Sequence, residues 1–119
     1  MNLPPFEATV DDDRSVVSAR GDLDLSSAPA LERAIERAID GANHTLTLDL
    51  RGLRFIDSTG LRLVLTTDAR LRELGGRLRV VRGPDAVHRV FELAVLEDRL
   101  TFVDGHDIGD ASNDGEARR

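Results

Sequence analysis

The spacing of apolar residues changes period repeatedly along this chain, from two residues to nearly four and back, and few architectures accept that pattern. Period two marks a strand with one buried face, and a period near 3.6 marks an amphipathic helix. Phe6, Ala8 and Val10 alternate with Glu7 and Thr9, and after the acidic turn Asp11-Asp12-Asp13 the run Ser15 to Arg20 leads to Gly21, which predicts two strands. Ser26 and Ser27 are plausible N-caps for a first helix carrying Leu31, Ala34, Ile35, Ala38 and Ile39 on one stripe, with Gly41 as its stop. Thr45 to Leu50 alternates strictly and reads as a strand. Arg51 to Ile56 reads as a loop, followed by a helix from Asp57 or Ser58 to about Leu74, where Gly75-Gly76 ends it. That helix sets Leu61, Val64, Thr67, Leu71 and Leu74 against Arg62, Thr66, Arg70 and Glu73 on its other side. Leu78, Val80 and Val81 make a strand, Pro84 suits the first turn of a third helix bearing Val87, Val90, Phe91 and Ala94, and Leu100 to Val103 makes a last strand.

The predicted order is therefore β-β-α-β-α-β-α-β, an α/β fold with a mixed sheet of about five strands and helices packed on it. A length of 119 residues suits one domain. Beyond Asp104 the chain is rich in Gly, Asp and Ser, with Ile108 its only large aliphatic, so a net-negative, disordered tail dispensable for folding is expected there.

Composition removes several functions. Sixteen basic residues against twenty-two acidic give a net charge of −6, which argues against direct nucleic-acid binding. All the basic residues are Arg, so Lys bases and Schiff bases are unavailable, and the absence of Cys excludes disulfides, thiolate metal sites and thiol nucleophiles. No apolar run is long enough to span a membrane, and no secretory leader is evident, so membrane insertion and export are not expected.

The densest chemical candidate is Phe55-Ile56-Asp57-Ser58-Thr59-Gly60-Leu61, a strand-to-helix junction with a carboxylate, two hydroxyls and a glycine. Helix N-termini expose amides and a positive dipole end, so the junction suits a phosphate; a plain N-cap explains one of its polar residues equally well. A serine hydrolase is not supported, because Ile56 stands where the nucleophile elbow wants glycine. Asp22-Leu23-Asp24-Leu25-Ser26 matches the pattern of aspartate-nucleophile phosphatases, but a polar strand end before a helix cap is the simpler account. Asp11-Asp12-Asp13 is expected to be a solvated turn. His44 and His106 fall in polar loops and His88 at the surface or as a satisfied helix residue, so no metal site is expected.

From Leu48 to Leu61 the chain resembles STAS domains, specifically the anti-sigma factor antagonists. Gly21-Asp22-Leu23-Asp24, Leu74-Gly75-Gly76-Arg77-Leu78 and Val90-Phe91-Glu92-Leu93 extend the likeness in the right order over roughly residues 3 to 103. The resemblance implies a cytoplasmic protein without catalysis or cofactor, a STAS domain over residues 1–106 and a tail over 107–119. It also implies partner switching. Ser58 would be phosphorylated by an anti-sigma factor of GHKL serine kinase type and restored by a PP2C-type phosphatase, and the unphosphorylated form would free a sigma factor by binding the kinase. The partner surface would comprise Asp24, Asp57, Ser58, Thr59, Gly60, Leu61 and Arg62. Two positions depart from the family pattern: Arg62 stands where Gly is common, and Ala94-Val95-Leu96 replaces a Thr-Gly-Leu turn. STAS domains also serve as subunits of membrane transporters, including lipid-transport ABC complexes, where the motif hydroxyl would be an interface contact.

Overall fold

The computed structural model describes residues 6–39, 44–96 and 98–105. Its elements are β1 (Phe6–Asp11), β2 (Val16–Leu23), α1 (Ala28–Ile39), β3 (Thr45–Ile56), α2 (Ser58–Glu73), β4 (Arg77–Val81), α3 (Asp85–Leu93) and β5 (Thr101–Val103), in the expected order. The strands lie side by side in sequence order; β1 is antiparallel to β2, and β2 to β5 run parallel. Each parallel connection therefore carries one helix, as a crossover requires. The expected stop at Gly41, His106 and the tail 107–119 lie outside the described residues.

One row across the sheet, Val17, Leu48, Val80 and Phe102, shows how the core forms. Leu46, Leu48 and Leu50 project from β3 to the buried side, and Leu31, Ala34 and Ile35 of α1 with Val64 and Leu71 of α2 cover them. The spacing predicted each of these. Above β5, Phe91 of α3 meets Phe102 edge-on at 5.4 Å between ring centres. Of the two places expected for His88 the surface is excluded, since it is only 5% exposed and packs edge-on against Phe102 at 4.7 Å. It belongs to the aromatic core of α3.

The segment Arg51 to Ile56 is strand, where the sequence predicted a loop. Pairing with β2 slips twice: Ser18 faces Asp49 but Arg20 faces Gly52, and Gly21 faces Leu53 but Asp22 faces Phe55. At each slip β3 carries one residue more than β2. The buried residues consequently fall at Leu50, Leu53 and Ile56 rather than at every second position, and the period-two signal disappears although the strand continues.

At the start of α1 the two serines do not cap as predicted. The Ser27 hydroxyl donates to the Asp22 carbonyl at 2.7 Å and accepts from the Asp24 amide at 2.9 Å, while the Asp24 carboxylate receives the Ser26 and Ser27 amides at 3.0 and 3.2 Å. The Asp24 carboxylate closes the turn that leads into α1. An ion pair between Glu36 and Arg70 links the half-exposed flanks of α1 and α2 and holds the Glu36 carboxyl below its usual range.

Helices α2 and α3 end alike. Gly75 and Gly76 donate to the carbonyls of Arg72 and Leu71, and Val95 and Leu96 donate to those of Glu92 and Phe91, two copies of the Schellman arrangement. Leu74, expected on the buried stripe, is the cap residue of the first copy and is 43% exposed. The left-handed position is Gly75 at φ +83° in α2, but Val95 at φ +58° in α3. A β-branched residue is strained there, and Val95 has no compensating burial, being 79% exposed. The departure from Thr-Gly-Leu thus falls where glycine is physically preferred. Val95→Gly should raise the unfolding free energy by about 1 kcal/mol in a urea titration; an unchanged or lower value would contradict the strain argument.

Candidate functional site

The junction between β3 and α2 is built on the end of β2. Leu23 and Ile56 are register partners, both buried, and where the strands stop the Asp57 amide donates to the Leu23 carbonyl at 3.2 Å. Asp57 remains extended at φ −115° and ψ −171°, and its carboxylate accepts the amides of Thr59 at 2.9 Å and Gly60 at 3.1 Å. Its carbonyl accepts the Leu61 amide at 3.0 Å. One residue thus closes the first turn of α2 and fixes it to the sheet. Such N-caps contribute about 1 kcal/mol, and the negative carboxylate complements the helix dipole.

Ser58 is the first residue of α2 and its side chain is exposed, as is that of Arg62 one turn later. Thr59 and Leu61 are half-buried, Leu61 packing against the core. Gly60 was placed by sequence on the partner surface; the structure puts it inside instead. A side-chain carbon there would stand 2.7 Å from Ile56 Cγ1 and 2.9 Å from Leu23 Cγ and Cδ2, so glycine is needed for α2 to sit on the strand ends. The sequence signal was right and its cause different: the close approach comes from this chain's own core.

Asp24 lies on the neighbouring turn. Its carboxylate also accepts the Ser26 hydroxyl at 2.7 Å, and that bond, ahead of the Ser26 and Ser27 amides, holds its carboxyl below the usual range. Two apolar residues at this end of the sheet escaped the sequence argument. Leu25 is 75% exposed and Phe55 49% exposed. Leu25 continues the alternation of Leu23 and reads as a core position, but β2 ends at Leu23 and the turn carries Leu25 outward. Phe55 sits opposite Asp22, on the other side of the sheet from the Leu23–Ile56 pair. The Asp22 carboxylate faces Arg54 at 3.4 Å. Both acids of the phosphatase-like pattern are thus engaged locally, and among the described residues no group of three or more His, Asp or Glu is placed to hold a metal ion. No helix among them is long and apolar enough to cross a membrane.

An exposed serine, a capped helix start and a second acidic turn on adjacent parallel strands can be compared with known proteins. The family pattern described as "Mlab, STAS domain" matches residues 6–104, and the chain belongs to the STAS-domain family. It is 28% identical over 108 residues to the anti-sigma-B factor antagonist of Staphylococcus aureus (strain NCTC 8325 / PS 47), covering 91% of this chain and 99% of that one. The crystal structure of an anti-sigma factor antagonist from Mycobacterium paratuberculosis is similar with a TM-score of 0.77 and 29% identity, over 90% of this chain and 93% of that one. The Bacillus cell fate determinant SpoIIAA in its phosphorylated form is similar with a TM-score of 0.61 and 26% identity, over 86% of this chain and 94% of that one.

Gly60→Val should destabilise the fold by about 1–3 kcal/mol through overpacking, and Asp57→Ala by about 1 kcal/mol through loss of the cap, both read from chemical denaturation. A Gly60→Val protein as stable as wild type would contradict the burial of Gly60.

Proposed function

We propose that the chain is an anti-sigma factor antagonist acting by partner switching, with Ser58 as the switch. The observation that carries this is the exposed Ser58 hydroxyl on the first turn of α2, beside a capping carboxylate that fixes the helix start. The names of the relatives support the same reading. Unmodified, the surface formed by Asp24, Asp57, Ser58, Thr59, Leu61 and Arg62, flanked by exposed Leu25 and Phe55, binds an anti-sigma factor of GHKL serine kinase type and so releases a sigma factor.

The kinase supplies ATP. The Ser58 oxygen bonds to the γ-phosphorus as the bond to ADP breaks, and the serine proton leaves to a base of the kinase. A PP2C-type phosphatase reverses the modification with water, releasing inorganic phosphate and restoring the hydroxyl. The phosphate adds about −1.5 to −2 charge near pH 7. Placed beside Asp57 and near the acidic turn of Asp24, it reverses the contact without any need to refold the domain.

Incubation with the cognate kinase and ATP should add one phosphate, located on Ser58 by mass spectrometry. Ser58→Ala should retain the kinase in a pull-down while Ser58→Asp loses at least about tenfold in affinity through unfavourable charge. A phosphate elsewhere, or none with an active cognate kinase, would overturn the proposal. Docking on a membrane transporter as a STAS subunit is the competing account, and capture of a transporter ATPase equally by the Ala and Asp variants would decide for it.

A further inference from the structure

Within the described part of the chain, the Arg62 side chain is unengaged. It is exposed, and it makes no hydrogen bond or ion pair with any described residue. The neighbouring arginines differ: Arg70 is tied to Glu36, Arg72 to Asp68 at 3.1 Å, and Arg54, just before the junction, to Asp22 at 3.4 Å.

The first turn of α2, meanwhile, is a poor place for a second anion. The amides of Thr59 and Gly60 are held by the Asp57 carboxylate and the amide of Leu61 by the Asp57 carbonyl. A phosphate on Ser58 therefore meets an occupied helix start and an adjacent carboxylate. A nearby cation would offset that carboxylate.

Ser58 and Arg62 both belong to α2 and are four residues apart, so they are neighbours on one side of the helix. Long helical side chains lean toward the N-terminus, which carries the guanidinium from position 62 toward position 58. Planar, with several donors, it suits bidentate binding of phosphate oxygens. We infer that Arg62 is the internal ligand of the phosphate on Ser58. This rests on Ser58 being the modified residue, and it adds that the modified protein screens its own charge. Binding through Arg62 favours the dianion and withdraws phosphate oxygens from a phosphatase, so the phosphorylated state is prolonged. A chain with Gly at this position lacks the device.

Phosphoserine inserted at position 58 during translation of the full chain gives the modified protein without any kinase. Phosphorus NMR can then follow its second ionisation, which lies at about pH 6 for phosphoserine. Arg62→Gln should raise the proton affinity of the phosphate about two- to fivefold, the scale of an exposed helical ion pair strengthened by charge-assisted hydrogen bonds. Arg62→Lys should restore part of the difference. Arg77→Gln removes the same charge at the start of β4, beside Thr45 at the other end of the parallel strands, and should leave the titration unchanged. Superimposed curves for wild type and Arg62→Gln, or an equal shift from Arg77→Gln, would overturn the inference. A failed assignment of Ser58 as the switch would appear instead in the kinase experiment, which this titration does not use.

Discussion

The site depends on Asp57. Its amide is bound to the end of β2, its carboxylate holds two amides of α2 and its carbonyl a third, so a strand end and a helix start share one residue. Without that residue the sheet would still end at Leu23 and Ile56, but the direction of α2 would rest on the packing of Gly60 against them. Cap and close approach act together. The cap satisfies donors of a part-buried helix start, and the missing side chain at position 60 allows the helix to come near enough for the cap to form.

This rigidity bears on how the surface can switch. A hydroxyl on a fixed turn can gain a phosphate and change charge while the backbone beneath it stays in place, so recognition is altered through electrostatics. Nearby, Asp24 is held in its own turn by Ser26 and Ser27, and Leu25 and Phe55 supply exposed apolar area. Asp24 and Asp57 already make this surface acidic, so a phosphate on Ser58 would concentrate negative charge against whatever partner group packs over the hydroxyl. With Ser58 phosphorylated, Arg62 would moderate that change from within the chain.

Much of this was legible in the sequence because two periods alternate cleanly. The leucines of β3 at 46, 48 and 50, and the stripe of α1 through Leu31, Ala34 and Ile35, were placed by spacing alone and are buried. The family likeness ran from Leu48 to Leu61 with three further segments, and its Asp57 to Leu61 part does form the junction. What stayed hidden followed from interactions between distant segments. The slips against β2 conceal the second half of β3, the end of β2 exposes Leu25, and Phe91 with Phe102 encloses His88. Gly60 was noticed for a partner's sake because the nearness of Leu23 cannot be read from local spacing. Val95 is the reverse case: the departure was visible in the sequence, and only its positive φ shows what it costs.

If Ser58 is the switch, it should stand on a platform that stays put while its charge changes. Amide chemical shifts of the whole chain, compared between the unmodified protein and one carrying phosphoserine at position 58, test this directly. Shifts should be confined to the turn at Asp24 to Ser27 and to residues 57–62, with the β3 and β4 amides unmoved and amide-exchange protection of α2 retained. Widespread shifts through the core strands, or loss of protection in the first turns of α2, would contradict it and indicate a switch that works by rearranging the fold.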